Sequence, residues 1–526
     1  MAIGYTPALA CRLLLLLALA AVTTEGYRVL ILAPTGGKSQ RNVLHGLASA
    51  LAERGHQVVF FSAFKPSSSV KGIREVVPDA LAEAATDDKY PNMFKMNEQG
   101  IQAGFKQIQT FMSDGPRAAL ASKELDEILK EKYDLVVFGF YSYSLYFVPL
   151  VLKTPFILLT SVPYLPTYTS PLGNPTLPSL HPNIFTITSP GEMTFLQRTK
   201  NVLEHVSMEV FRQVYGWYCD RLVAEKFGKG VMPPALEIER NASLIMINSN
   251  PAINYPKPLL PNAVEIAGMH CTKGRPLPKE LRSFLGDSEF VLFSMGSVAR
   301  PKDMSASQKS EILAALERLP YKVLLKWDTT DRAGIPSNVL PSKWLPQQDL
   351  LASGKCRLFI SHGGYASLVE SVCHGVPMVM LPVSVDQHAN AAQAARLGVA
   401  KVLRWDGLTW EDLEAAVEAA LSEEHLSAAR YRQQLLRSQP VPPRDLAVHW
   451  VEHVIRHGGA PHLRSVGAEL NFFQYYSLDV LAFLLAVLLL TLKLLVAMVK
   501  CCCRCVCGRK AKPSSAEPES KRVKRD

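Results

Sequence analysis

Short runs of apolar and β-branched residues recur along the chain and alternate with segments whose apolar residues have helical spacing. The first unit contains the run Val29–Leu32, apolar residues at 44, 47, 48 and 51, and the run Val58–Phe61. Comparable runs occur at Leu135–Phe138, Phe156–Leu159, Phe290–Ser294, Lys322–Leu325, Leu358–Ile360 and Met378–Leu381. Because these runs are apolar on both faces, they predict parallel strands covered by helices on both sides. The pattern predicts an α/β protein with two doubly wound, Rossmann-like domains.

A proline-dense segment separates the two groups of runs. Prolines at 251, 256, 258 and 261 lie too close together for a regular element. We therefore predict an N-terminal domain over 27–250, a linker over 251–261 and a second domain over 262–435. The segment 436–476 leads to the membrane and contains one more predicted helix. This helix is predicted to pack against the preceding domains through an apolar stripe formed by Ala447, Val448, Val451, Val454 and Ile455.

Both ends of the chain carry segments typical of membrane targeting. Arg12 precedes an apolar block from Leu13 to Val22 and then small residues, which indicates a secretory signal peptide over 1–26. An N-terminal anchor or a buried helix is the alternative. Residues 477–499 are long and apolar enough for a transmembrane helix at ~1.5 Å per residue, and the basic residues beyond predict a cytosolic tail over 500–526. We expect a single-pass type I membrane protein whose body faces a lumen.

The net charge and the cysteines fit this topology. The formal charge is +10, but nine Lys and Arg residues lie from Lys500 onward, so most of the excess belongs to a membrane-flanking tail, which argues against nucleic-acid binding. Lys524 and Arg522 resemble a dibasic endoplasmic-reticulum retrieval signal, or simply add positive-inside charge. Five cysteines in the tail occupy positions typical of S-palmitoylation: Cys501, Cys502, Cys503, Cys505 and Cys507. The spacing of the four cysteines expected in the lumen does not determine which of them form disulfides: Cys219, Cys271, Cys356 and Cys373.

The most informative motifs lie in the second half of the chain. They are Trp344-Leu-Pro-Gln-Gln-Asp-Leu-Leu351, Phe359-Ile-Ser-His-Gly-Gly364, Glu370, His374-Gly-Val-Pro-Met378 and Leu381-Pro-Val-Ser-Val-Asp-Gln387. Together they resemble the donor-binding signature of UDP-glycosyltransferases of the animal microsomal type. The resemblance implies the GT-B fold, in which two Rossmann-like domains face a cleft, with a UDP-sugar as co-substrate and no cofactor.

The chemistry of these residues agrees with that resemblance. Gly363 and Gly364 follow a predicted strand and precede a predicted helix, so free backbone N–H groups and the positive end of the helix dipole would cradle a diphosphate. His362 would add a donor to phosphate, and Glu370 would accept from the ribose hydroxyls. The resemblance implies further donor-binding residues: Ser297 for phosphate, Trp344 for stacking on uracil, and Gln347 for the uracil edge or the ribose. It also implies Ser367, and it implies Asp386 and Gln387 for the hydroxyls of the sugar. No Asp-x-Asp pair occurs, which predicts transfer without a metal.

The catalytic pair of the family is not matched in this chain. Inverting members use a histidine after the first strand as general base and an aspartate that orients it, and alignment without gaps puts Gln40 and Gly139 at these positions. A carboxamide cannot take a proton usefully near neutral pH. His45 lies about 140° around the helix from Gln40 and is a poor substitute. Asp134 opens a predicted strand and is expected to cap structure.

Two interpretations therefore stay open. The chain is either a working transferase that moves glucose or glucuronate to a small lipophilic acceptor, or a UDP-sugar-binding pseudoenzyme that acts as a partner of other membrane transferases, and we favour the first. A lipid-binding protein without nucleotide is disfavoured by the motifs. The loops Asp87–Phe105 and Pro163–Phe185 are expected to select the acceptor. Asn241 lies in a usable glycosylation sequon. Partners beyond the two substrates and the membrane, whether second copies or related transferases, stay open.

Overall fold

The computed structural model describes residues 26–66, 69–85, 94, 112–163, 165–296, 299–383 and 386–507. The predicted signal peptide, Ser297, nearly all of the loop Asp87–Phe105 and the tail beyond 507 lie outside these residues. The described chain up to Ala468 forms one compact unit, and the part from Glu469 onward forms a second.

The first unit contains two sheets in which every recorded strand pair is parallel. Sheet one has the order β3-β2-β1-β4-β5-β6-β7 and sheet two the order β10-β9-β8-β11-β12-β13. The strands are β1 (Arg28–Ala33), β2 (Gln57–Ser62), β3 (Ile73–Val76), β4 (Leu135–Phe138), β5 (Phe156–Thr160), β6 (Ile245–Ile247), β7 (Ala263–Glu265), β8 (Phe290–Ser294), β9 (Lys322–Lys326), β10 (Val339–Ser342), β11 (Cys356–Ser361), β12 (Met378–Met380) and β13 (Ala400–Val402). The prediction of two doubly wound sheets is confirmed.

Helices cover both faces of these sheets. They are α1 (Lys38–Glu53), α2 (Asp79–Ala84), α3 (Lys123–Ile128), α4 (Val148–Leu152), α5 (Pro166–Thr169), α6 (Phe195–Phe227), α7 (Ala235–Glu239), α8 (Lys279–Leu285), α9 (Ala306–Arg318), α10 (Gln347–Leu351), α11 (Tyr365–His374), α12 (Gln387–Arg396), α13 (Trp410–Ala420), α14 (Glu423–Arg437) and α15 (Pro443–Arg456). A further helical segment covers 112–121. Alternate residues of each central strand enter different cores: Leu30 and Leu32 pack on one side of β1, and Val29 and Ile31 on the other.

The first sheet extends beyond the predicted linker. Strand β7 lies after residue 261, yet it pairs with β6, and the N–H of Ile245 donates to the carbonyl of Asn262 at 2.8 Å. The predicted boundary at 262 therefore falls before the last strand of sheet one. The segment 251–261 therefore connects β6 to β7 within this sheet. Its prolines prevent regular structure, but they do not mark where a sheet ends.

Helix α15 belongs to the core of sheet one despite its late position in the sequence. Ala447, Val448, Val451 and Val454 are buried against residues of α1 and the first strands. The stripe that predicted this helix is therefore the face that packs.

The second unit contains α16 (Phe472–Tyr475) and α17 (Leu478–Cys507). Within α17, Leu478–Cys505 is long and apolar enough to cross a membrane. The helix begins where the sequence predicted a transmembrane helix, and it continues past the predicted end at 499 through the cysteine cluster, because residues 500–507 contain neither Gly nor Pro to end it.

Candidate functional site

Both sheets have a topological switch point at their centre. In sheet two the chain runs outward through β8, β9 and β10 and then returns to place β11 beside β8. In sheet one β4 returns in the same way to lie beside β1. Loops that leave the carboxyl ends of such strand pairs diverge and open a crevice, which is where doubly wound sheets bind ligands. The predicted site residues follow β1 and β4 in sheet one and β8, β10, β11 and β12 in sheet two; β1, β4, β8 and β11 are the four strands that flank these two crevices.

The loop after β11 holds His362 between two glycines. A Cβ on Gly296 would lie 2.4 Å from His362 Cε1, and one on Gly364 would lie 2.6 Å from Nε2. Both positions therefore require glycine for the imidazole to occupy this place. Burial, and to a smaller extent the nearby charge of Lys326, lowers the pKa of His362 to about 4. The ring is therefore neutral near pH 7 and can offer one N–H to an anion.

Helix α11 begins directly after this loop. Gly363 has a φ of +81°, and Gly364 is the N-cap and supplies no side chain to accept the first free N–H groups. These groups and the positive end of the helix dipole face the carboxyl edge of sheet two, where an anion would be stabilised. The predicted arrangement of a strand, a glycine loop and a helix is present.

Three predicted residues meet on one side of α11. The Nε2 of Gln347, the first residue of α10, donates to Ser367 Oγ at 3.1 Å and to Glu370 Oε2 at 2.8 Å. Burial raises the pKa of Glu370 to about 7, and the bond from Gln347 partly opposes this. His270 Nε2 lies 3.8 Å from the other carboxylate oxygen. Glu370 is thus a buried carboxyl that accepts from one amide and has acceptor capacity left for hydroxyl donors.

Trp344 lies just before this network and is 51% exposed. An indole exposed to this extent next to buried polar groups offers a face for a planar ring. Lys326 Nζ, at the carboxyl end of β9, lies 5.6 Å from the Trp344 ring and donates to the carbonyl of Gly296. Lys326 therefore brings a positive charge to the loop that holds His362.

Asp386 is joined to the same loop through Asn390. The Nδ2 of Asn390 donates to Asp386 Oδ2 at 2.9 Å and to the carbonyl of Gly363 at 3.0 Å. Burial raises the pKa of Asp386, and the bond from Asn390 opposes that shift. The Oε1 of Gln387 accepts from the N–H of Val383 at 2.8 Å, so this side chain shapes the loop after β12.

The two positions predicted for the catalytic pair lie at the switch point of sheet one. Gln40 is in the first turn of α1, and its side chain folds over Gly36 so that Oε1 would touch a Cβ there at 1.9 Å. Gly139 follows β4, and its N–H donates to the carbonyl of Leu32 at 2.8 Å. A Cβ on Gly139 would lie 3.0 Å from Leu44 Cδ2. Neither position carries a proton acceptor, and Leu44 crowds the second.

The two alternatives to this pair are engaged elsewhere. His45 Nε2 lies 3.3 Å from Glu75 Oε1, and the His45 ring packs against Phe60. Asp134 Oδ2 accepts from the N–H of Arg28 at 2.7 Å, which fixes the start of β1. Both therefore have structural roles, as expected.

Comparison with known proteins decides the family. Residues 29–513 match the family described as "UDP-glucoronosyl and UDP-glucosyl transferase". UDP-glucosyltransferase 2 of Dactylopius coccus is 31% identical over 491 residues, which cover 90% of this chain and 93% of that protein. The chain belongs to the UDP-glycosyltransferase family.

Other family members and solved structures agree with this assignment. Human UDP-glucuronosyltransferase 1A4 is 37% identical over 306 residues, which are 57% of each chain. A UDP-glucosyltransferase from Polygonum tinctorium has a TM-score of 0.54 at 17% identity and covers 83% of this chain and all of its own. Spinosyn forosaminyltransferase SpnP has a TM-score of 0.55 at 17% identity, with 82% of this chain covered and all of its own. The structural likeness establishes the GT-B fold.

Several residues near the candidate site of this UDP-glycosyltransferase were not predicted from the sequence. Lys326 and Asn390 support the donor-side loops, and the first of them could have been found because it ends a strand next to β8. The disulfide Cys271–Cys373 joins the C-terminal end of α11 to the segment that carries His270. It was not predicted, because a separation of 102 residues leaves no local signal in the sequence.

Proposed function

We propose that this UDP-glycosyltransferase transfers a glucosyl or glucuronosyl group from a UDP-sugar to a hydroxyl of a small lipophilic acceptor. The acceptor hydroxyl loses its proton to solvent, its oxygen attacks the anomeric carbon, the bond from that carbon to the diphosphate breaks, and UDP leaves with the electron pair. The attack inverts the anomeric centre. The observation that carries the proposal is the convergence of the N-terminus of α11, neutral His362 and the buried Glu370 at one crevice.

Each part of the donor has a matching group at this crevice. The first-turn N–H groups of α11, with His362 and Ser297, would hold the diphosphate, and Lys326 adds positive charge close by. Glu370, positioned by Gln347, would accept from the ribose hydroxyls. The remaining roles are stacking of uracil on Trp344 and recognition of sugar hydroxyls by Asp386, with Gln387 and Ser367 supporting the loops. This set stabilises the leaving diphosphate without the Asp-x-Asp metal ligands that the sequence lacks.

A pocket of about 100 Å³ supports an acceptor site beside Asp386. Its lining includes Pro163, Leu180 and Ile184 from the loop predicted to select the acceptor, together with Asp386 and Asn390. Apolar side chains next to a sugar-binding carboxylate suit a lipophilic alcohol or phenol.

The proposal includes an endoplasmic-reticulum membrane protein of type I topology, with the two sheets in the lumen. The helix Leu478–Cys505 and the microsomal-type relatives support the anchor. Asn241 is exposed and follows α7, which supports its use as a glycan acceptor. Its carbonyl accepts from Arg464 Nη2 at 3.5 Å, so the backbone is held while the side chain faces solvent.

The transfer assay uses the full chain in detergent with UDP-glucose or UDP-glucuronate. Each donor is offered to phenol and to an aliphatic alcohol between pH 6 and 10, and the glycoside is measured by mass spectrometry and its anomer by NMR. We expect an inverted glycoside of phenol whose rate rises with pH, since phenol itself sheds its proton near pH 10. Tight binding of both donors with no glycoside from either acceptor would contradict the proposal.

The alternative function is a UDP-sugar-binding pseudoenzyme that partners other membrane transferases. Gln40 and the crowded Gly139 favour it, because a general base contributes about 10²–10⁴-fold and none is present at this position. The discriminating variant is Gln40→His with Gly139→Asp, combined with Leu44→Val to relieve the 3.0 Å contact.

For a working transferase the triple variant should accelerate transfer to the aliphatic alcohol by about 10²–10⁴-fold and transfer to phenol much less. The matched control is Gln40→Asn with Gly139→Asp and Leu44→Val, which repeats the steric changes without an imidazole. A triple variant that binds donor and transfers to neither acceptor favours the pseudoenzyme.

A further inference from the structure

Four histidines gather at the C-terminal end of α15, away from the proposed transfer site. His449 and His453 lie on the helix, His457 is its C-cap, and His462 lies in the short 3-10 helix Pro461–Leu463. The ring centroids of His453 and His457 are 4.4 Å apart, and those of His453 and His462 are 5.2 Å apart. The cluster therefore joins the last turn of α15 to the segment that follows it.

Two nitrogens in this cluster have the separation of ligands to one ion. His453 Nε2 and His462 Nε2 are 3.1 Å apart. Zinc binds imidazole nitrogen at ~2.0–2.1 Å, so two nitrogens on one tetrahedral ion are about 3.3 Å apart. Bringing the pair to that spacing requires only a few tenths of an ångström.

A third imidazole is within reach of the same point. His453 and His457 are four residues apart, a spacing that places two imidazoles on one helix face and is used by zinc proteins. Among the residues that the structure describes, no three such side chains already point at one ion. His457 is exposed at the end of the helix, so a rotation of its side chain is sterically open.

The backbone that brings His462 back to α15 is held in an unusual conformation. Gly458, Gly459 and Ala460 have φ values of +55°, +93° and +47°. Ala460 is fully buried, and a Cβ on Gly459 would lie 3.3 Å from Pro155 Cβ. Left-handed conformation at a buried alanine persists only where surrounding packing fixes it. The approach of His462 to His453 is thus built into the fold.

The cluster lies at the opposite edge of sheet one from Gln40 and Gly139. The reversal packs on Pro155, which precedes β5, and Glu452 of α15 accepts from Nε2 of His56, which precedes β2, at 3.1 Å. Both contacts mark the amino ends of the strands, whereas the proposed chemistry is at the carboxyl ends. An ion at the cluster would therefore stabilise structure and take no part in transfer.

We propose that His453, His457 and His462 bind one Zn²⁺ ion, which clamps the C-terminal end of α15 to the segment Pro461–Leu463. Neutral imidazole is a ligand that Zn²⁺ accepts readily, and the exposed rim of the cluster gives the ion a path from solvent. A fourth position is left for water. Arg456 adjoins His457 in the sequence, and its charge is partly offset by Glu452 Oε2 at 3.9 Å.

The test is a calorimetric titration of ZnCl₂ into the metal-free full chain in detergent at pH 7.5, purified through a tag without histidine. Exposed thiols also bind zinc, so every arm carries serine at the tail cysteines Cys501, Cys502, Cys503, Cys505 and Cys507. We expect one zinc site whose affinity falls at least tenfold in each of His453→Gln, His457→Gln and His462→Gln. His449→Gln, one turn earlier on the same helix, is the matched control and should change affinity less than threefold.

Thermal unfolding without metal checks that each variant folds like the parent, since glutamine keeps a polar side chain at these exposed positions. Zinc should then raise the unfolding temperature of the parent and of His449→Gln, and not that of the other three variants. The proposal is overturned if any of those three binds zinc as tightly as the parent. An equal loss of affinity in His449→Gln also overturns it.

Discussion

The buried carboxyl of Glu370 should make donor binding depend on pH. Burial raises its pKa from 4.5 to about 7, so the folded protein takes up a proton between these values. The neutral carboxyl contributes stability that is fully present below pH 4.5. This contribution is lost as the pH rises through 7, and above pH 7 the free energy of unfolding is lower by about 3 kcal/mol. In the proposed complex the ribose hydroxyls donate to the ionised form, so a bound UDP-sugar should favour loss of that proton.

The size of the effect follows from the ionised fraction. With a pKa of about 7, this fraction falls roughly 25-fold between pH 7.5 and 5.5, and the affinity for UDP-glucose should fall towards that of a neutral acceptor. Glu370→Gln removes the titration. At pH 7.5 it should bind about fivefold more weakly, because a hydrogen bond to a charged acceptor is worth about 1 kcal/mol more than one to a neutral acceptor. At pH 5.5 the carboxyl of the parent is almost entirely neutral as well, so variant and parent should bind with about equal affinity.

The assay is calorimetry with UDP-glucose at both pH values, and the quantity compared is the ratio of variant to parent Kd. This ratio isolates Glu370, because Asp386 titrates in both proteins, and His362, with a pKa of about 4, stays neutral in both. Glu424→Gln, at an exposed carboxylate on α14, is the matched control and should keep the pH dependence of the parent. A ratio for Glu370→Gln that is the same at pH 7.5 and 5.5 would refute the role assigned to Glu370.

Three further predictions concern the support of the site and the topology. Gly364→Ala should lower the affinity for UDP-glucose at least tenfold in calorimetry, because the added Cβ would lie 2.6 Å from the His362 ring. An unchanged affinity would contradict this. Replacing Cys271 and Cys373 by serine should lower the free energy of unfolding by about 2–5 kcal/mol in denaturant titration, and no loss would show that the crosslink is not formed. In cells, an endoglycosidase-sensitive mobility shift should be present in the parent and absent after Asn241→Gln; a shift that persists would contradict the lumenal assignment.

The sequence predicted the centre of each sheet and missed the edges. All eight predicted runs are strands, since a central parallel strand is buried on both faces and therefore continuously apolar. The missed strands are short or carry polar residues on an exposed side: Ile73–Val76, Ile245–Ile247, Ala263–Glu265, Val339–Ser342 and Ala400–Val402. One of them is β7, which is why the predicted boundary at 262 precedes the last strand of sheet one.

The candidate site was predictable where chemistry and secondary structure coincide in one segment. The loop from His362 to Gly364 is such a segment, because a strand, two glycines and a helix follow one another directly. Long-range partners were not predictable. Asn390 reaches this loop from α12, and nothing local marks it. The closed environment of Gly139 likewise depends on Leu44, which only the packing of α1 on sheet one brings beside it.

The most direct test of the donor site is the affinity of the full chain for UDP, measured by titration calorimetry with Trp344→Ala and His362→Ala beside the parent. Loss of the indole face should make the binding free energy of UDP less favourable by about 1–3 kcal/mol, and loss of the imidazole should also weaken UDP binding measurably. Trp217→Ala is the matched control, because that indole on α6 is 60% exposed and lies outside the site. The account predicts weaker binding in the first two variants and unchanged binding in the third. Unchanged UDP affinity in both Trp344→Ala and His362→Ala would contradict it.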